Sequence, residues 1–247
     1  MTKKIRGILF DLGETLLDFG HVSVHSVFKD GAKLAYEHLQ SLGQPLPSFT
    51  SYHLRQLWAI RWRYFLSHFT RREFNSMELI SRLGRRMGFR LSESQNLELS
   101  WLWYRPLSDQ SRAEAGLPEM LRDFTAAGLT LGVISNTFIA GRVLDRHLRA
   151  EGLEELLPVR VYSSEVVFRK PDRRIFKIAL QRAELAPEAT IFVGDSLRID
   201  VKGANQAGLV SVLKDPAGRH VRSSIRPRHR IRSLTELRQI VAQYNGQ

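Results

Sequence analysis

The chain contains no cysteine among its 247 residues. That absence excludes disulfides, cysteine-ligated zinc, iron–sulfur clusters and thiol catalysis. It fits a reducing compartment without requiring one. No apolar run approaches the roughly 18 residues that a membrane helix needs. The apolar stretch near the start stops at Asp11, short of a secretory signal. The expectation is a soluble, cytoplasmic protein with no membrane partner. Several catalytic signatures are missing as well: GxSxG, GxxxxGK followed by Ser or Thr, HExxH and GxGxxG. Serine-hydrolase, P-loop, zincin and dinucleotide-fingerprint readings therefore have no support. Lysine is scarce, with 8 residues against 29 arginines.

The formal net charge is +12, and the excess is localised. Residues 49–105 hold ten Arg and four Glu, and residues 214–247 hold eight basic and two acidic residues. Each segment carries +6, and the rest of the chain balances. Such segments attract anions or form solvated faces. Arg61, Arg63, Arg71, Arg72, Arg85 and Arg86 are candidate anion readers. The run 226–232 has the composition of a nucleic-acid arm. Its Arg228, Arg230 and Arg232 alternate, however, as on the wet face of an edge strand. Nucleic acid is therefore not the expected partner. The eight histidines are dispersed; His21 and His25 are expected on a surface helix.

Short apolar runs at 5–10, 129–134, 159–162, 190–193 and 210–213 read as strands, with a last edge strand at 229–232. Helices are expected at 118–127, 139–149, 172–182, 198–206 and from Ser233. Strands alternating with helices indicate a parallel α/β sheet. The stretch 22–106 is helical almost throughout. Its Trp58, Trp62, Phe65 and Phe69 recur at helical spacing and are expected to form a core face. The fold expected is a Rossmann-like α/β core (1–18 and 107–247) with an inserted α-helical cap (19–106).

In open parallel sheets, ligands bind at the carboxyl ends of the strands. The first strand delivers Asp11 there, the second Ser135 and Asn136, and the fourth Asp195, with Asp200 five residues on. Lys170 lies in the loop after the third strand. Carboxylates so close repel, and each raises the other's pKa unless a cation intervenes. Asp11, Asp195 and Asp200 make a site for a hard cation such as Mg²⁺, which favours oxygen ligands and commonly binds substrate phosphate. Ser135 and Lys170 suit phosphate oxygens. Arg169 suits either a phosphate contact or solvent, and Asp18 either the site or a helix entry.

The segments FDLGETL, VISN, RKPDRRIF and VGDSLRIDVKGA, in that order, resemble the four motifs of the haloacid dehalogenase-like hydrolase superfamily. The resemblance covers 5–18 and about 117–213, and the helical insert sits where that family places its cap. It implies Asp11 as a covalent nucleophile, Ser135 and Asn136 on the transferred phosphoryl group, and Lys170 as a neutralising cation. Asp195, Asp200, Asp11 and the Gly13 carbonyl would hold Mg²⁺. The implied activity is hydrolysis of a small phosphorylated metabolite.

The first motif departs from the family's Asp-x-Asp. Its second Asp, the general acid and base, is replaced by Gly13. Protonation of a leaving group is typically worth about 10²–10⁴-fold. Glu14 is adjacent, but neighbouring side chains point differently, so it is not the expected substitute. Some family members regarded as phosphatases also carry Gly here. The alternatives are a metal-independent 2-haloacid dehalogenase, which needs no leaving-group proton, and a catalytically impaired binding protein. Retention of Gly194-Asp195 argues against the dehalogenase, whose relatives lack that pair.

Overall fold

The computed structural model describes residues 4–70, 73–218 and 223–246, with the side chains of 68–70 outside the description. The chain opens with β1 (Gly7–Phe10), every residue of which is buried. A tight turn leads to β2 (Leu17–Asp18). Four helices follow: α1 (Val24–Ser41), α2 (Phe49–Thr70), α3 (Ser76–Arg86) and α4 (Glu93–Ser108). β3 (Arg112–Ala113) then returns to pair antiparallel with β2, so the helices leave and re-enter through one two-stranded neck. That neck was not anticipated from the sequence; two-residue strands carry no readable alternation.

The remainder runs α5 (Leu117–Ala126), β4 (Thr130–Ser135), α6 (Gly141–Ala150), β5 (Val159–Tyr162), α7 (Ser163–Val166) and α8 (Arg173–Ala183). It continues with β6 (Thr190–Gly194), a π-helical turn Leu197–Val201, α9 (Lys202–Ala207), β7 (Val210–Lys214), β8 (His229–Ile231) and α10 (Leu237–Asn245). Six strands form one parallel sheet in the order β5-β4-β1-β6-β7-β8. This is the expected Rossmann-like α/β fold.

Strand residues alternate between two apolar layers, as the pleat requires. Ile8, Phe10, Val133 and Val193 pack with Met120 of α5, Leu144 of α6 and Ile240 of α10. Leu9, Ile134 and Phe192 face the other way, onto Phe176 and Ala179 of α8 and Ala204 of α9. Burial on both sides explains the near-continuous apolar runs. β8 is one of the two edge strands: Arg228, Arg230 and Arg232 are exposed while Ile231 is buried. Arg230 lies 2.8 Å from Asp215.

Helices α1–α4 enclose a separate cluster that includes Ala32, Ala35, Tyr52, Ile80, Leu99 and Trp103. The α1–α4 contact is close enough that a Cβ on Gly31 would lie 2.3 Å from the Trp103 carbonyl oxygen. Trp103 Nε1 donates to Tyr52 Oη at 3.1 Å. One expectation fails here. Trp58, Trp62 and Phe65 are 71%, 59% and 52% exposed, not core; the Phe69 side chain lies outside the described residues. The buried face of α2 carries Tyr52, Gln56, Ile60 and Ser67 instead, roughly half a turn away. Both faces repeat at helical spacing, and periodicity alone selects the more aromatic one. His21 and His25 are exposed as expected. Among the described residues, no helix is long and apolar enough to cross a membrane.

Candidate active site

The register of the sheet builds the site. Phe10 of β1 pairs with Val133 of β4 and Val193 of β6. Three strands therefore end within two residues of one another, and Asp11, Ser135 and Asp195 emerge together at their carboxyl ends. The Asp11 amide is anchored by donating to the Val193 carbonyl at 2.8 Å. Asp200 arrives from the π-helical turn, where Ser196 N donates to its Oδ2 at 3.0 Å. This approach demands glycine at 194, because a Cβ there would lie 2.4 Å from Asp200 Cγ.

Lys170 is 4% exposed and sits at the centre. Its Nζ lies 2.5 Å from Asp11 Oδ1 and 2.8 Å from Asp200 Oδ1. Asn136 fixes the lysine's backbone: its Oδ1 accepts from Lys170 N at 2.7 Å and its Nδ2 donates to Lys170 O at 2.9 Å. Carboxylate oxygens of Asp11, Asp195 and Asp200 all lie within 4.8 Å of one another. Three carboxylates thus face one ammonium. Burial, with repulsion from Asp200, pushes Asp195 up to about 6. Burial likewise pushes Asp11 upward; Lys170 opposes this, and Asp200 and Asp195 add to it. Burial works to lower Lys170, but Asp11 and Asp200 outweigh it and hold its pKa above the usual value. The cluster has excess negative charge in a poorly solvated place, and its donors are hard oxygens. Those properties fit a divalent cation such as Mg²⁺.

Gly13 and Glu14 line the same cleft. Glu14 has φ +57° and its carboxylate accepts from Phe19 N at 3.4 Å. Gly13 is not held to glycine by its surroundings. Its φ lies outside the left-handed range, and an added Cβ would meet only Phe19 ring carbons at 3.4 and 3.9 Å.

The sequence pattern of the family described as haloacid dehalogenase-like hydrolase matches residues 5–208. The chain belongs to that family. A mouse (Mus musculus) protein, haloacid dehalogenase-like hydrolase domain-containing protein 3, is 36% identical over 49% of this chain and 49% of its own length. The glyceraldehyde 3-phosphate phosphatase of Methanothermobacter thermautotrophicus is 38% identical over 38% of this chain and 40% of its own. The chain thus spans half or less of the length of these relatives. In fold it resembles a 2-haloacid dehalogenase from Pseudomonas syringae pv. Tomato DC3000, with TM-score 0.64 and 24% identity, over 97% of this chain and 99% of that one.

Other expected residues of this family member fall elsewhere. Asp18 is exposed and accepts from Gly20 N at 2.7 Å, capping a turn outside the cleft; Ser23, not Asp18, caps α1. Arg169 lines the cleft beside Glu73, at 3.2 Å, and donates to Ser67 Oγ at 2.8 Å. Arg61, Arg63, Arg85 and Arg86 do not line the cleft; Arg71 and Arg72 lie outside the described residues.

Two features escaped the sequence reading. Glu73, with a side chain 1% exposed, joins the helical block to the Lys170 loop through Arg169. His147 of α6 is buried between Tyr104 and Ser111. Ser111 donates its hydroxyl proton to Ser108 O at 2.9 Å, so His147 Nε2 donates to Ser111 Oγ at 2.7 Å and Nδ1 accepts from Tyr104 Oη at 2.9 Å. Burial lowers the His147 pKa to about 4, against the pull of Asp109. No local sequence signal marks this bridge, because its partners are 43 and 36 residues distant.

Proposed function

We propose that this chain is a Mg²⁺-dependent phosphatase of small phosphorylated metabolites, working through an aspartyl-phosphate at Asp11. The carrying observation is the Lys170 ammonium between Asp11 and Asp200, with Asp195 alongside. Asp11 attacks phosphorus as the bond to the substrate's alcohol oxygen breaks, and water then cleaves the resulting acyl phosphate to inorganic phosphate and free Asp11, which divides one difficult displacement into two. Lys170 offsets repulsion between the attacking carboxylate and the phosphate dianion. Ser135, emerging with Asp11 at the strand ends, donates to a phosphoryl oxygen. Asn136 keeps the Lys170 loop in place, and by resemblance also serves the phosphoryl group.

Asp11, Asp195, Asp200 and the Gly13 carbonyl would hold the metal. Bound there, Mg²⁺ supplies Lewis-acid stabilisation of phosphoryl charge. Residues 19–106 serve as the cap over the strand ends. The dehalogenase reading has less support, because a metal-free displacement gains nothing from Asp195 and Asp200 crowding Asp11. A cytoplasmic site of action suits a phosphorylated substrate.

The test is release of phosphate from nitrophenyl phosphate with and without Mg²⁺, for the wild type and Asp11→Asn. Turnover that needs Mg²⁺ and falls at least about 10³-fold in the variant supports the reading. A folded protein that releases no phosphate from any ester, or that releases halide from a 2-haloacid without metal, refutes it.

A further inference from the structure

The cleft above Asp11 has a volume of about 630 Å³, within the range of small-molecule sites. Its floor is the charged cluster. Its roof comes from the helices and the loop after β4, and it is of the opposite character. Phe28 of α1, Ile60 of α2 and Trp103 and Tyr104 of α4 line it from the helical side, and Phe138 from the sheet side. The Tyr104 hydroxyl is committed to His147 at 2.9 Å, so the residue offers its ring rather than a polar handle. Phe138 stacks on Phe74 with ring centroids 5.2 Å apart and meets Tyr64 edge-on at 6.3 Å. Among the described residues, no lysine or arginine of α1–α4 lines this space. Arg169 does, but at 3.2 Å from Glu73 its charge is balanced within the wall.

A second observation points the same way. Residue 13, beside the nucleophile, has no side chain, although neither backbone nor space requires glycine there. The site thus lacks, at that position, a group to protonate a departing alkoxide. An alcohol that leaves readily as its anion does not need one.

From these two observations, and resting on the phosphatase reading above, we infer that the substrate is a phosphomonoester of an uncharged aromatic hydroxyl. The ring occupies the aromatic side of the cleft, where apolar burial and edge or face contacts hold it. The phosphate reaches down to Asp11. A carboxylate oxygen of Asp11 bonds to phosphorus as the phosphorus–aryl oxygen bond breaks. The electron pair leaves on the aryloxide, which takes its proton from water. Water then adds to phosphorus, inorganic phosphate departs, and Asp11 returns as carboxylate. Among the described residues of the helical side, a sugar or a second phosphate meets mostly aromatic and aliphatic side chains and no lysine or arginine of α1–α4; Tyr64, Glu73, Ser76 and Ser100 are the polar groups there.

The experiment compares kcat and KM, with Mg²⁺, for naphthyl, phenyl, benzyl, glycerol and hexose phosphates. Naphthyl phosphate is expected to show a KM about tenfold below that of phenyl phosphate, from its larger apolar area. Phenyl phosphate is expected to exceed benzyl phosphate in kcat by about a hundredfold, since the two rings fit alike and only the leaving group differs. Phe28→Ala is expected to shrink the naphthyl preference by about tenfold through KM. Glycerol or hexose phosphate hydrolysed as efficiently as naphthyl phosphate would overturn this inference and leave the phosphatase reading standing. Equal kcat for phenyl and benzyl phosphates would also overturn it. No turnover of any ester would remove the phosphatase reading, and this inference with it.

Discussion

The two walls of the cleft solve different problems with different materials. The sheet wall is polar, and its parts are tied together: Asp11, Asp200, Lys170 and Asn136 are joined by contacts of 2.5–2.9 Å. Those groups are set by strand ends, by the Lys170 loop bonded to one, and by the π-helical turn that carries Asp200. The helical wall is largely apolar and is held by packing, with Trp103 leaning on Tyr52 and the α1–α4 contact admitting only glycine at 31. Charged groups in fixed directions favour one reaction. Packed rings and aliphatic chains favour a shape, with little preference among reactions. The difference suggests that chemistry belongs to the sheet wall and selection to the helical wall. Damage to the first should strike kcat, and damage to the second should strike KM.

The largest effect tests the sheet wall. Lys170→Met removes the cation from between two buried carboxylates, and breaking such a pair costs about 3–5 kcal/mol. Denaturant unfolding should show that loss, and kcat on nitrophenyl phosphate should fall at least about 10²-fold. Retention of kcat would break the division between the walls. Next comes Gly13→Asp, which places an acid where the backbone tolerates a side chain. Benzyl phosphate turnover should rise by about 10²-fold, while nitrophenyl phosphate, whose leaving group needs no proton, should gain little. An equal effect on both esters would show that residue 13 acts otherwise than by proton transfer.

A smaller effect tests the joint between the walls at His147. Its pKa is about 4 when folded and near 6.5 when unfolded. Between those values the unfolded chain binds the extra proton, so stability falls as pH drops from about 6.5 toward 4 and is fully present above 6.5. From pH 6.5 to 5 the loss should be about 1.5 kcal/mol. Asp11 and Asp195, raised by burial, work in the opposite direction over part of that range. The difference between wild type and His147→Gln in urea midpoints at the two pH values isolates the histidine. A parallel pH response in both proteins would count against the bridge. The smallest effect concerns the exposed aromatic face of α2. Trp58→Ser should change stability by no more than about 0.5 kcal/mol, whereas Tyr52→Ala on the buried face should cost about 3–5 kcal/mol.

The same contrast governs what the sequence made legible. Strand ends, the Asp11–Lys170–Asp195–Asp200 group and the parallel order could be read because doubly buried strands are short apolar runs that stop at a polar residue. Register then leaves no freedom in what emerges beside what. On the helical side, α2 offers two faces of equal period, and the buried one carries Gln56 and Ser67. Hydropathy therefore pointed to the wrong side. Composition marked Arg61, Arg63, Arg85 and Arg86 as candidate anion readers without placing them, and none of these four lines the cleft. Glu73 and His147 take their meaning from partners dozens of residues away, which no local pattern encodes.

The distribution of indole rings has a practical consequence. All four tryptophans, Trp58, Trp62, Trp101 and Trp103, lie on α2 and α4, and the sheet has none. Intrinsic fluorescence therefore reports from one wall only. Trp58 and Trp62 face water, so their emission is red-shifted and open to iodide. Trp101 and Trp103 are shielded, and Trp103 lines the cleft. A ligand that seats an aromatic ring there should quench the blue edge of the spectrum and spare the red. The protein carries an indole label on its helical wall, placed beside a sheet wall that has none.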